Sequence, residues 1–161
     1  MNARDKIYTL EELVAQKKAL LPGGIVLTNG CFDLVHLGHL RCLEYARSLG
    51  DSLVVAINSD TSVRSLKGDS RPYITERERA ELLAGFSCVD AVVIFSEQRL
   101  NTVIDALKPN IYAKGGDYTL DTMDQGERAR LEACGARIEF REETYDQTTT
   151  SIVANILKAQ K

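Results

Sequence analysis

Short apolar runs alternate with longer stretches of helical periodicity along the chain, and this alternation constrains the fold more than any other feature. The runs that predict strands are IVLTNG, SLVVAIN, AVVIF, NIYAKGG and ARIEF, all within residues 25–140. A segment with helical spacing of apolar residues follows each run, and TTTSIVANILKAQK is the last of these segments. Strands separated by helices pair in parallel through right-handed crossovers. We therefore predict an α/β fold, a doubly wound sheet of five parallel strands with helices on both faces.

Capping residues mark where several helices begin. Thr9 precedes Glu12 by three residues and Thr75 precedes Glu78 by three, which is the spacing of a capping box. By contrast, the segment SDTSVRSLKGDSRPYI is polar and contains glycine and proline, so it predicts a long loop over residues 59–74. Residues 1–22 predict a helical extension and residues 25–158 a core, together one domain over residues 1–161.

Composition excludes several classes of protein. The 161 residues are 44% hydrophobic and 27% charged, a globular balance, and the net charge of −3 argues against a general nucleic-acid or anionic-membrane binder. The four cysteines form no CxxC pair, which favours reduced thiols over a disulfide framework or a zinc site. The charged N-terminus has no signal peptide, and no run approaches the length of a membrane span. We predict a soluble cytoplasmic domain without a nucleic-acid or membrane partner.

The residues that follow the predicted strands are the first place to look for a ligand site. In doubly wound sheets the ligand lies beyond the carboxyl ends of the strands, near the point where the strand order reverses. These residues are Thr28 to Asp33, Asn58 to Asp60, Phe95 and Ser96, and Lys114 to Asp117.

The only two histidines of the chain, His36 and His39, fall in one predicted helical turn after the first predicted strand. Their spacing puts both rings on one helix face, and Gly38 between them leaves room for a ligand. Three chemistries fit such a pair: metal binding, general acid–base catalysis, and anion binding aided by a helix N-terminus. A purely structural pair, one ring capping and one packing, is the alternative. The strand–loop–helix context favours a phosphate site, although the loop carries neither a Walker A nor a GxGxxG motif.

The stretch GCFDLVHLGHLRCLEYA resembles the signature of the HxGH nucleotidyltransferase superfamily, here as His36, Leu37, Gly38 and His39. That resemblance implies a Rossmann-like, cytidylyltransferase-like fold. It also implies transfer of a nucleoside monophosphate from a nucleoside triphosphate to a phosphate acceptor, with release of pyrophosphate. In that family the histidines contact the triphosphate and stabilise the transition state at the α-phosphorus.

Three further segments are similar to that family. LKGDSRP resembles its basic loop, with Lys67 and Arg71, and AKGGDY resembles the segment in which Lys114 and Asp117 flank the nucleotide. TTTSI at residues 148–152 resembles the second signature, S-T-T-x-I, with Thr148 in place of serine. Its hydroxyls and free N–H groups are implied to hold the β- and γ-phosphates, although the same groups serve as an ordinary helix cap.

Within the superfamily, TNGCFDLVHLGH, LKGDSRP, CVDAVVIF and KGGDY together resemble the adenylyltransferases of ADP-heptose synthesis, over residues 25–158. The resemblance implies transfer of AMP from ATP to D-glycero-β-D-manno-heptose 1-phosphate for the lipopolysaccharide inner core. It also implies Mg²⁺ as cofactor and a homodimer. In many organisms such a domain is fused to a heptose-phosphate kinase, so its occurrence alone implies a separate kinase upstream.

The resemblance assigns roles to particular positions. The implied catalytic residues are His36, His39 and Lys114. The implied nucleotide-binding residues are Thr28, Asn29, Gly30, Cys31, Phe32, His36, Gly38, His39, Lys67, Arg71, Lys114, Gly116, Asp117, Thr148, Thr149, Thr150 and Ser151. The implied acceptor-binding residues are Asp33, Asn58 and Arg71. The magnesium ligands stay open.

Two other functions are compatible with the same motifs. An enzyme like glycerol-3-phosphate cytidylyltransferase would use CTP, and the sequence does not distinguish adenine from cytosine. A non-catalytic nucleotide-binding module on the same fold is the other alternative, which the intact histidines and lysines disfavour. The nicotinamide mononucleotide branch fits less well, because its second signature usually carries an arginine that TTTSIVANI lacks.

Overall fold

A computed structural model of the chain describes residues 2–141 and 148–159, and across these residues six strands form one parallel sheet. The strands lie in the order β1-β4-β3-β2-β5-β6. Their bounds are β1 Ile7–Tyr8, β2 Ile25–Gly30, β3 Ser52–Asn58, β4 Ala91–Phe95, β5 Ile111–Gly115 and β6 Arg137–Arg141. Every pair of neighbours is parallel, which confirms the predicted doubly wound α/β architecture.

The prediction of five strands was wrong by one, because β1 adds an edge strand beside β4. Ile7 pairs with Val92 and Tyr8 with Val93. Two residues are too few to show the alternation by which a strand is recognised, and β1 lies in the N-terminal segment for which helices were predicted. These two residues are identified as a strand only by their pairing with β4, which is distant in the sequence.

Eight α-helices accompany the sheet among the described residues. Their bounds are α1 Leu10–Ala15, α2 Lys17–Leu20, α3 Leu37–Ser48, α4 Asp60–Lys67, α5 Glu76–Ala84, α6 Asn101–Leu107, α7 Gln125–Ala133 and α8 Thr149–Lys158. A single 3₁₀ turn, Ala3–Lys6, precedes β1. Both predicted capping boxes are confirmed: Thr9 with Glu12 begins α1, and Thr75 with Glu78 begins α5. The predicted last helix extends to Lys161, and its final two residues lie outside the described range.

Helix α4 corrects the prediction of a long loop over residues 59–74. The Ser59 hydroxyl accepts a hydrogen bond from the N–H of Ser62 and caps the helix, and Gly68, at φ +94°, ends it. Of its apolar side chains Val63 is fully buried, whereas Leu66 is exposed. One buried apolar residue in two turns produces no recognisable periodicity, which is why this helix was missed.

Two apolar layers cover the two faces of the sheet, as predicted. On one face, residues of α1, α6 and α7 such as Leu13, Ile104 and Leu131 pack against the sheet. On the other, residues of α3 and α5 such as Leu43 and Leu83 do so. The layers alternate along β3, whose seven residues are all buried. Such burial on both faces explains why its sequence, SLVVAIN, is almost continuously apolar.

The strand order reverses at β2, because β3 lies on one side of it and β5 on the other. The connections after β2 and β5 leave the carboxyl edge of the sheet in opposite directions, and a cleft opens between them. None of the helices in the described part of the chain is long and apolar enough to cross a membrane.

Candidate active site

A cavity of about 520 Å³ lies in this cleft, at the carboxyl ends of β2, β3 and β5. The structure brings together many of the residues predicted from the sequence. Those that line it are Thr28, Asn29, Gly30, Cys31, Phe32, Asp33, His39, Asn58, Lys67, Arg71, Lys114, Thr149 and Thr150. They come from five separate segments of the chain, so their convergence depends on the fold and not on sequence proximity.

Six of the predicted residues do not line the cavity: His36, Gly38, Gly116, Asp117, Thr148 and Ser151. The His36 ring stacks on that of His39, with 3.9 Å between the ring centroids. Thr148 and Ser151 form the capping box of α8, each side chain accepting a hydrogen bond from the other's N–H. A role in substrate binding stays a prediction for all six.

The two histidines cap the N-terminus of α3 with their own rings. The N–H of Gly38 donates to Nδ1 of His36 at 3.2 Å, and the N–H of His36 donates to Nδ1 of His39 at 3.3 Å. A ring nitrogen that accepts a hydrogen bond carries no proton, so the neutral imidazole of His39 holds its proton on Nε2. The backbone therefore selects the tautomer in which Nε2–H is a hydrogen-bond donor.

The imidazole of His39 is neutral at physiological pH. Burial, reinforced by the neighbouring His36, lowers the pKa of His39 to about 4. Phe32 contributes to this apolar setting, with its ring centroid 5.2 Å from that of His39. The backbone of Phe32 lies in the left-handed region, at φ 49°, where the chain turns from β2 toward α3. His39 thus offers a donor without a charge.

Asp33 anchors the segment that follows α4. Its carboxylate accepts hydrogen bonds from Nε of Arg71 at 2.5 Å and from the backbone N–H groups of Tyr73 and Ile74 at 2.8 and 3.0 Å. Burial alone would raise the pKa of Asp33, but these donors outweigh it and the pKa is lowered. The predicted role of Asp33 in acceptor binding stays a prediction, since the structure shows its carboxylate holding Arg71 beside the cavity.

Arg79, in helix α5, is completely buried. Its guanidinium donates to the backbone carbonyls of Cys31 and Ile74, at 2.5 and 3.0 Å, and to the carboxylate of Asp60 at 2.8 Å. One side chain thus ties the loop after β2 to α4 and to the start of α5. In an E-R-E-R run nothing marks one arginine as buried, so this residue was missed.

Lys114 extends from the end of β5 into the cavity, with its ammonium 4.3 Å from the centre of the Tyr118 ring. Burial lowers the pKa of Lys114, while the carboxylate of Glu127 acts in the opposite direction. A partly desolvated cation beside an aromatic face interacts strongly with an incoming anion, because little bulk water screens it.

Asn58 and Cys31 lie close to each other on the wall of the cavity. The amide of Asn58 donates to Oγ of Ser62 at 2.9 Å, and its oxygen accepts from the Cys31 thiol at 3.8 Å. Burial raises the pKa of the Cys31 thiol, which keeps it protonated. Both groups are thus engaged with the protein itself, and their contacts with substrate stay predictions.

Several lining residues were not predicted. They are Gln98 and Arg99 after β4, Tyr118, Thr122 and Asp124 between β5 and α7, Glu127 in α7, and Cys42, Leu43 and Leu66. Arg99 pairs with Asp124 at 3.3 Å, and Glu127 accepts the N–H of Leu100 at 2.9 Å. Phe95 and Ser96, at the end of the third predicted strand, do not line the cavity. Gln98 and Arg99, which follow them, do.

The N-terminus of helix α8 also lies at the wall of the cavity. The hydroxyl of Thr149 donates to the carbonyl of Leu34 at 3.3 Å, which docks the helix on the loop that precedes α3. Thr149 and Thr150 then line the cavity. The first N–H groups of a helix are anion-binding donors, so two helix N-termini, of α3 and α8, lie at this site.

No three side chains of His, Cys, Asp or Glu in residues 2–141 and 148–159 are grouped closely enough to hold a metal ion. The carboxylates that line the cavity already have partners: Asp33 binds Arg71, Asp124 pairs with Arg99, and Glu127 caps the N-terminal end of α6. The donors that face a ligand are mainly nitrogen groups that carry hydrogen, which is the chemistry of an anion site.

The chain is similar in sequence to known proteins. The chain is 49% identical to the bifunctional protein HldE of Syntrophotalea carbinolica over 133 residues, 83% of this chain and 27% of that protein. It is 46% identical to HldE of Geotalea uraniireducens over 153 residues, 94% of this chain and 31% of that protein. The chain thus spans less than a third of these curated relatives.

Solved structures share the fold. A lipopolysaccharide core biosynthesis protein from Thermoplasma volcanium superposes with a TM-score of 0.62 at 27% identity, covering 77% of this chain and 99% of that one. Pantoate–β-alanine ligase from Francisella tularensis has a TM-score of 0.60 at 14% identity, covering 95% and 77%, and is a likeness of fold alone. The cytidylyltransferase-like family model matches residues 27–155. With this match and the relatives at nearly half identity, the family predicted from the HxGH motif is confirmed: the chain belongs to the cytidylyltransferase-like family.

Proposed function

We propose that this chain is an adenylyltransferase that joins AMP from ATP to D-glycero-β-D-manno-heptose 1-phosphate, giving ADP-heptose and pyrophosphate. The observation that carries the proposal is the stacked pair of His36 and His39 at the N-terminus of α3, with His39 on the wall of a cavity that also holds Lys67 and Lys114. The identity with HldE proteins and the likeness to a lipopolysaccharide core biosynthesis protein support this choice of substrate.

The chemistry needs donors more than it needs a base. The acceptor's phosphate has a second pKa of about 6, so at neutral pH its oxygen is already an anionic nucleophile. The Nδ1 atom of His39 accepts the N–H of His36 and its Nε2 carries the proton, so this ring has no lone pair to offer as a base. It can instead donate to a phosphoryl oxygen as negative charge develops in the transition state.

The larger barrier is electrostatic, because one phosphate dianion must approach a triphosphate. Lys67, Arg71, Arg99 and Lys114 line the cavity and supply positive charge. The N-terminus of α8 adds oriented N–H groups on the other side. Positioning and preorganised donors account for most of the catalysis of such transfers, and no covalent intermediate is required.

Magnesium is part of the proposal. In phosphoryl and nucleotidyl transfer Mg²⁺ keeps several waters and is bound largely by substrate phosphates, with one or two carboxylates. Asp124 and Glu127 are the carboxylates on the Lys114 side of the cavity. A carboxylate can accept several hydrogen bonds, so beside their contacts with Arg99 and Leu100 these two residues could still contact waters of the hydrated ion. When bound, the ion neutralises charge on the phosphates that the lysines and arginines cover only in part.

The proposed reaction also defines the surroundings of the chain. We propose that a sugar kinase makes the heptose 1-phosphate upstream and that the reaction takes place in the cytoplasm, where ATP is supplied. We further propose that residues 1–161 act as one domain with its core over residues 25–158, as a homodimer.

The test is pyrophosphate release with Mg²⁺, measured with ATP or CTP, each with and without heptose 1-phosphate. The proposal predicts release with ATP that depends on the sugar phosphate. Release with CTP alone would contradict it and favour a cytidylyltransferase, and release with glycerol 3-phosphate in place of the heptose would contradict the acceptor. Tight ATP binding without any turnover over hours would favour a non-catalytic module. The His39→Asn variant, assayed in parallel, shows that the release comes from this site.

A further inference from the structure

The hydroxyl of a core tyrosine contacts a residue that lines the cavity. The phenol of Tyr112 donates a hydrogen bond to Oδ1 of Asn29 at 2.7 Å. The two residues lie on neighbouring strands, since Tyr112 of β5 pairs in register with Leu27 of β2. Tyr112 is fully buried in the apolar layer that contains Leu13 and Ile104, whereas Asn29 lines the cavity. The pair therefore connects the core to the site.

This contact determines which end of the Asn29 carboxamide faces the cavity. A buried hydroxyl proton needs an acceptor, and Oδ1 of Asn29 fills that need for Tyr112. Burial, followed by the nearby carboxylate of Glu127, raises the pKa of Tyr112 well above its ordinary value, so the proton stays on the phenol. With the oxygen of Asn29 held toward β5, its NH₂ group is turned away from Tyr112.

The NH₂ group of Asn29 has no acceptor among residues 2–141 and 148–159. Asn58, the other asparagine on the cavity wall, differs, because its NH₂ group donates to Ser62 and its oxygen accepts from Cys31. Asn29 thus carries a preorganised donor that the protein does not use. Four cations, Lys67, Arg71, Arg99 and Lys114, line the same cavity, and its three carboxylates already accept from other protein groups. The acceptor that fits this donor is therefore an oxygen of an anionic ligand.

We infer that Tyr112 is a positioning residue that locks the Asn29 carboxamide so that its NH₂ group donates to a phosphate oxygen of the nucleotide substrate. The inference rests on the proposed function for the identity of the substrate. Tyr112 itself does not touch the ligand. Its hydroxyl acts by preventing the carboxamide from rotating and presenting its oxygen to a phosphate, which would be repulsive.

A double-mutant cycle tests the inference. The proteins are wild type, Tyr112→Phe, Asn29→Ala and the double variant, and kcat and the affinity for ATP are measured for each. A hydrogen bond to a charged acceptor predicts a loss of about 10- to 100-fold for Asn29→Ala and a smaller loss, about 5- to 10-fold, for Tyr112→Phe. In the Asn29→Ala background, Tyr112→Phe should cause no further loss, because the Tyr112 hydroxyl acts only through the Asn29 carboxamide, which this variant lacks. Tyr8→Phe, at the far edge of the sheet in β1, is the matched control and should match wild type.

If the losses of the two single variants multiply in the double variant, the inference is wrong, because Tyr112 then acts independently of Asn29. A second variant, Asn29→Asp, retains an oxygen for Tyr112 but has no NH₂ group. It should lose at least as much as Asn29→Ala, and wild-type turnover would contradict the donor role. Thermal unfolding of each variant separates misfolding from loss of the donor. If wild type itself releases no pyrophosphate, the proposed function fails, and the cycle in ATP affinity still decides this inference.

Discussion

The rings of His36 and His39 stack with 3.9 Å between their centroids, and each accepts a backbone N–H of the same helical turn through Nδ1. The cap therefore uses Nδ1 of each imidazole, whereas the catalysis that we propose would use Nε2. The hydrogen bonds that complete the N-terminus of α3 also select the tautomer that donates through Nε2. Under the proposed function, one short motif would both begin a helix and bind an anion.

The division between the two nitrogens predicts different results for two substitutions of His39. An asparagine places its side-chain oxygen near the position of Nδ1, so His39→Asn should retain the cap and the thermal stability. It should lose about 10²- to 10³-fold in turnover, because the Nε2 donor is absent. His39→Gln places an amide NH₂ near the position of Nε2 and should retain more activity than His39→Asn. Steady-state kinetics and thermal unfolding of both variants check this, and equal turnover of the two would contradict the assignment of the nitrogens.

The low pKa of His39 predicts a specific loss of stability in mild acid. The pKa of His39 is about 4 in the folded protein and 6.5 in the unfolded chain, so between these values the unfolded state binds more protons. The contribution of His39 to the free energy of unfolding is therefore fully present above pH 6.5. It falls by about 2–3 kcal/mol as the pH decreases from 6.5 to 4. Urea unfolding at pH 7, 5.5 and 4.5 measures the loss. His39→Asn should show a smaller loss over the same range, and identical slopes for both proteins would contradict the assignment.

Loss of the Asp33 carboxylate should lower the free energy of unfolding more than loss of an exposed ion pair does. Its side chain is fully buried and that of its partner Arg71 is 14% exposed, so Asp33→Asn leaves a guanidinium poorly compensated. We expect a loss of about 2–4 kcal/mol in the free energy of unfolding. The control is Asp105→Asn, which breaks the exposed pair of Asp105 with Arg130 and should cost less than about 1 kcal/mol. Equal losses, measured by urea unfolding, would contradict the proposed anchoring of the segment after α4.

Substitution of two arginines of the same helix, Arg79 and Arg77, should change the stability of the protein by different amounts. Arg79→Met leaves the Asp60 carboxylate and the carbonyls of Cys31 and Ile74 without their donor. The expected loss is about 3–5 kcal/mol. Arg77, two residues earlier, is exposed, so Arg77→Met should change stability by no more than about 0.5 kcal/mol. Thermal or urea unfolding of the two variants checks the contrast, and equal losses would contradict the structural role of Arg79.

Local signals in the sequence were sufficient for most of the fold. The capping boxes at Thr9 and Thr75 and the apolar runs of β2 to β6 are short-range patterns, and the structure confirms them. Strand β1 escaped prediction because it has two residues and depends on pairing with the distant strand β4. Helix α4 escaped because Val63 is its one buried apolar residue, which gives no helical periodicity. The strand-end rule then located the cavity, because topology alone places the carboxyl ends of β2 and β5 side by side.

The parts of the site that could not be predicted are those that depend on burial. Arg79 and Tyr112 look ordinary in the sequence, yet both are fully buried and hold cavity-lining segments in place. Arg99 and Glu127 reach the cavity from loops and helices whose approach is decided by packing. A motif identifies residues that touch a ligand, whereas the residues that support them emerge only from the three-dimensional arrangement.

The central claim is that the stacked imidazoles serve nucleotidyl transfer. The most direct test follows the fate of labelled phosphorus with Mg²⁺ and heptose 1-phosphate, using ATP labelled at the α- or at the γ-phosphorus. We predict that the α-label enters a sugar nucleotide, that the γ-label leaves as pyrophosphate, and that His39→Asn reduces both in the same proportion. Transfer of the γ-label to the sugar phosphate, or undiminished transfer by His39→Asn, would contradict the account.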